Sequence, residues 1–131
     1  MRYLLSLTTL LALLLAFSPL QAKERAPLYH SIEPAFVVNV QGGTRPQFMQ
    51  VRIQVMSYDR MVLQRLDDNL PAVRHALILL LSSQSSDTMR QTAGREQVRL
   101  QASEIIQQTL REVAGVETGI EAVYFTDLVI Q

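Results

Sequence analysis

The sequence predicts an α+β domain: a small antiparallel or mixed sheet, helices packed on one of its faces, and one long helix before a C-terminal strand. Three stretches carry that expectation. Met49, Val51, Ile53 and Val55 alternate with Gln50, Arg52, Gln54 and Met56. That is the period of two that buries one face of a strand and leaves the other in water. Thr92 to Ala114 repeats apolar residues at three- and four-residue steps with no internal proline, as one amphipathic helix does, and Gly115 closes it. In residues 120–131, eight of twelve side chains are apolar and most of the eight are β-branched or aromatic. That composition suits a strand with neighbours on both sides.

Length and charge narrow the function classes. The 131 residues hold one domain and a short extra segment, and 48% apolar content is ordinary for a globular chain. Twelve basic and twelve acidic residues cancel without a run of either sign, so the basic stripe of a nucleic-acid binder is missing. The chain has no cysteine, which removes disulfides, thiol catalysis and thiolate metal sites.

The first 22 residues read as an export segment. Arg2 precedes an apolar run, Leu10 to Phe17 is its uninterrupted core, Ser18-Pro19 breaks it, and Ala22 stands before Lys23-Glu24-Arg25. These are the parts of a secretory signal peptide cleaved after Ala22; an uncleaved membrane anchor is the second reading, and both put the rest of the chain outside the inner membrane. Residues 23–34 follow as a connector and residues 35–131 as the exported domain.

Within the connector, Pro27 and Pro34 favour an extended path. His30 there has no second ligand near it in sequence, and a metal site needs several. Ala35 to Val40 is a strand, and Gly42-Gly43-Thr44-Arg45-Pro46 is a hairpin turn, because glycine tolerates positive φ and proline fixes its own. A phosphate-binding loop would need a helix after the glycines, whereas the Met49–Met56 strand follows. Asp59 can cap a short helix bearing Met61, Val62, Leu63 and Leu66, and Pro71 suits the first turn of the next, Ala72 to Leu81. His75 on that helix lacks a nucleophile or orienting carboxylate beside it. The serines of residues 82–87 look like a polar break between helices and match no nucleophile motif. Thr92 is the expected N-cap of the long helix, whose core stripe is Val98, Ala102, Ile105, Thr109 and Val113 with Ile106 and Leu110 beside it. Carboxylates such as Glu33, Glu104 and Asp127 stand singly, so no constellation for catalysis emerges and no cofactor or metal is expected.

In this order of elements, four stretches resemble the flagellar basal-body-associated FliL family. They are Glu33-Pro-Ala-Phe-Val-Val-Asn39, Pro71-Ala-Val-Arg74 with its following apolar run, Thr92-Ala-Gly-Arg95, and Val123-Tyr-Phe-Thr126 with the terminal Val129-Ile-Gln131. The resemblance runs from about Tyr29 to Gln131. It implies a stomatin-like fold and a non-enzymatic accessory of the flagellar motor on the periplasmic side of the inner membrane. It also implies assembly with itself into a ring and association with the MotA/MotB stator units or the basal body, in support of motility or swarming. A periplasmic stomatin-like scaffold of another envelope complex is the alternative. For the contact surface, the expectation is the polar strand face of Gln50, Arg52 and Gln54 together with a free sheet edge, with residues 1–22 as the route to the membrane.

Overall fold

A computed structural model describes residues 24–131. Strand β1 (Leu28–Val40) and strand β2 (Gln47–Ser57) form an antiparallel hairpin over the glycine turn, where Gly42 and Gly43 both take positive φ. Helices α1 (Arg60–Asp68), α2 (Leu70–Ser82), α3 (Ser86–Arg90) and α4 (Thr92–Ala114) follow, and strand β3 (Ala122–Ile130) closes the chain's path. The sheet order is β1-β2-β3, antiparallel throughout, with β2 in the centre. The result is the expected α+β layer of helices over a thin sheet.

One apolar cluster joins the two layers. Met49, Val51, Ile53 and Val55 of β2 are essentially inaccessible, and they meet Val73, Leu77 and Leu81 of α2 and Val98, Ala102, Ile106 and Leu110 of α4. Helix α2 lies over β1, α4 lies over β3, and the two helices pack against each other.

Helix ends follow side-chain chemistry. Asp59 caps α1, accepting from the Met61 amide at 2.8 Å, and Pro71 stands in the first turn of α2. Gly115 ends α4 in the left-handed conformation, φ 67°, which costs an L side chain steric strain and costs glycine none.

Several expectations need correction. Strand β1 starts at Leu28, seven residues before Ala35, so much of the anticipated connector is sheet and His30 is a strand residue. The residue-82 to residue-87 stretch is no simple linker: Ser82 ends α2, and Ser85 caps the five-residue α3, accepting from the Thr88 amide at 3.1 Å. The N-cap of α4 is Gln91, while Thr92 is its first helical residue. Helix α4 buries Val98, Ala102, Ile106 and Leu110, a stripe rotated from the anticipated one, so that Val113 is half-exposed. Finally, β3 pairs only with β2 and is an edge; the strand flanked on both sides is β2.

The leader or anchor expected at residues 1–22 lies outside the described residues. Among the described residues, no helix is long and apolar enough to cross a membrane.

Candidate functional site

Among the described residues, the helices cover one side of the sheet and leave the other bare. Strand alternation decides which side chains reach that bare face, and the register sets them in rows. Tyr29, Met56 and Ala122 form the first row; Ser31, Gln54 and Tyr124 form the second. Arg52 stands in the middle opposite Asp127, and its Nη1 donates to Glu33 Oε1 at 3.2 Å. Val37, Gln50 and Val129 make the next row, and Asn39 and Phe48 the last.

The expected residues Gln50, Arg52 and Gln54 are therefore brought together, at the centre of this face and on one strand. Gln54 Nε2 donates to Ser31 Oγ at 3.4 Å, and the Arg52–Glu33 pair is half-exposed on both sides. An exposed pair of this kind adds little to stability, about 0–1 kcal/mol. Its side chains remain able to exchange partners.

The surroundings are less polar than β2 alone suggests. Val37 is 65% exposed, and Tyr29, Phe48, Val129 and Tyr124 also stand well out of the face. The rings of Tyr29 and Tyr124 lie 6.4 Å apart across the sheet. Two apolar patches thus flank a charged centre. Sequence reasoning missed these five because each belongs to an apolar run or a β-branched strand whose alternation is masked. Fixing the register of β1 and β3 on β2 is what separates their two faces.

Elsewhere, polar groups serve structure. His30 Nε2 lies 3.5 Å from Asp67 Oδ1, joining β1 to α1. Arg74 donates from Nη1 to the Pro34 carbonyl at 2.6 Å while its guanidinium lies 4.2 Å from the centre of the Phe36 ring. Arg99 donates from Nε to Glu96 Oε2 at 2.8 Å, which holds the Glu96 carboxyl below the usual carboxylate range. The same guanidinium donates to the Val123 carbonyl at 2.8 Å, tying α4 to β3. His75 is exposed on α2, and among the described residues no cluster of three His, Asp or Glu side chains could hold a metal ion.

One of these contacts links two of the stretches that carried the family resemblance, since Arg74 meets Pro34 and Phe36. Comparison with known proteins agrees. The family described as flagellar basal body-associated protein FliL matches residues 29–131. The flagellar protein FliL of Aquifex aeolicus strain VF5 is 30% identical over 114 residues, spanning 87% of this chain and 68% of that protein. The chain belongs to the FliL family of non-catalytic proteins associated with the flagellar basal body.

Proposed function

We propose that this protein is a motor accessory that assembles with itself through the open face of its sheet and supports the stator units from the periplasmic side of the inner membrane. The observation that carries this reading is the open face itself, with Tyr29, Val37, Phe48, Tyr124 and Val129 exposed around the Arg52 centre. A FliL-family protein works without chemistry, so its effect on the motor must come from contacts, and this face offers an uncovered surface for them.

The size of the face sets how strong such contacts can be. Three strands at about 4.8 Å spacing and about 3.3 Å per residue give a plane of roughly 14 by 35 Å. That area is at the weak end for a stable interface, which takes about 800 Å² per partner. Assembly through it would therefore be weak and rise with concentration, so that enrichment around the MotA/MotB stator at the membrane would favour the ring. The membrane route through residues 1–22 belongs to the same proposal.

Arg52→Glu tests it in the cell. The substitution places like charge beside Glu33 and Asp127 and removes the Arg52 cation from the centre of the face. Returned to a deletion strain, the variant is expected to accumulate normally yet fail to restore swarming or swimming under viscous load. Full restoration by the variant, or a deletion without any motility defect under load, would contradict the reading. In the second case a stomatin-like scaffold for another envelope complex becomes the better description.

A further inference from the structure

The rest of the chain treats the two edges of the sheet differently. Along β1 the edge is blunted in three ways, each a known protection against unwanted strand pairing. The register shifts between Ile32 and Phe36, Pro34 has no N–H to offer and its carbonyl is taken by Arg74, and Gln41 is bridged by Gln84 and Ser86. Along β3 the protection stops early. Arg99 takes the Val123 carbonyl, and Thr126 is a bulge residue without a partner on β2. From Asp127 to Ile130 the ladder is regular again, and every second residue turns its N–H and C=O away from β2. No hydrogen bond among the described residues meets those groups.

Between this stretch and the corner joining α3 to α4 lies a cleft of about 370 Å³ lined by Met89, Arg90, Arg95, Leu128 and Ile130. Leu128 and Ile130 point toward the helices but are only partly covered, in contrast to Val123 on the same strand. The rim is cationic. Arg90 is exposed, and Arg95 is held by donating to the carbonyls of Met89 and Arg90 and to Thr92 Oγ1. Those three bonds leave two of the five guanidinium N–H donors of Arg95 unspent. The nearest carboxylate on α4, Glu96, is already paired with Arg99.

We propose that Asp127–Ile130 is a strand-addition site for an extended segment of a partner protein that carries an aliphatic and an acidic side chain on the same side. Backbone pairing with β3 would supply affinity, as in other strand additions. The aliphatic side chain would lie on Leu128 and Ile130, and the carboxylate, two residues away on the same side, would reach Arg90 and Arg95, which suit bidentate recognition. The site is separate from the open face and holds or fails independently of assembly there.

The probe is a pool of fluorescein-labelled hexapeptides of alternating threonine and valine, with each valine replaced in turn by glutamate, titrated against the purified protein by fluorescence anisotropy. At least one member is expected to bind, with affinity falling at least tenfold when its glutamate becomes lysine. Methylation of alternate backbone nitrogens is expected to abolish binding. Arg90→Glu, an exposed position that should leave the circular dichroism spectrum unchanged, is expected to reverse the preference between the glutamate and lysine peptides. The proposal is overturned if no member binds, if backbone methylation is without effect, or if Arg90→Glu leaves the preference unaltered. It is also overturned if Arg90→Glu changes the sedimentation of the protein alone, since the edge would then be a contact between copies.

Discussion

At the scale of single residues, Gly94 shows why a short stretch can be specific without touching a ligand. It lies in the first turn of α4 against the Thr88 carbonyl of α3, and a methyl group there would overlap that backbone. Arg95 next to it secures the same corner through the Met89 and Arg90 carbonyls. In most helices glycine to alanine stabilises by up to about 1 kcal/mol. Here Gly94→Ala is expected to destabilise by about 1–3 kcal/mol, the usual cost of overpacking, measured by urea denaturation. Glu96 supplies a pH-dependent contribution. Its hydrogen bonds from Arg99 depress its pKa in the folded state, so it stabilises the fold above the unfolded value of about 4.3. That contribution fades as pH falls through the lower folded value, and it is small because the group is exposed. An NMR titration of the Glu96 carboxyl should give a midpoint below that of an isolated glutamate, and Arg99→Gln should return it to the ordinary range.

At the scale of elements, what could be read in advance depended on how much of an element's burial is decided by the element itself. Strand β2 is central, so Met49, Val51, Ile53 and Val55 alternate without a break with exposed or partly exposed neighbours, and its faces were legible. Helix α4 was legible as a helix but not in its rotation, because apolar residues run around more than half of it. The buried stripe is set by where α2 and the sheet meet it, which only the tertiary packing determines. Ile105 and Ile106 separate the two readings. Ile106→Ala is expected to cost about 2–5 kcal/mol, as for other fully buried aliphatic truncations, and Ile105→Ala less than half as much in the same denaturation assay. Helix α3 was missed because five residues are too few to show a helical period, and its signal, Ser85 three residues before Thr88, was submerged among other serines. The terminal strand misled through its composition. Phe125, Leu128 and Ile130 are as apolar as a central strand requires, yet they sit half-covered on an edge under α4.

At the scale of the whole molecule, the helices shield one face of a three-stranded sheet, and nothing among the described residues shields the other. The three polar residues anticipated for contact do share that face. The apolar flank of Tyr29, Val37, Phe48, Tyr124 and Val129 could be assigned only once the register was known. Membership of the FliL family gives the setting at the flagellar basal body, and the bare face is the surface through which we propose that the domain acts there. The comparison that bears most directly on this is sedimentation velocity over a range of concentrations for the wild type, Arg52→Glu and Leu79→Glu. Both substitutions put an acid at an exposed position, one on the open face and one on α2, where Leu79 is 58% exposed. Assembly through the open face predicts concentration-dependent oligomers that Arg52→Glu abolishes and Leu79→Glu retains. Loss of the oligomers in Leu79→Glu with persistence in Arg52→Glu would place the contact on the helices and contradict it.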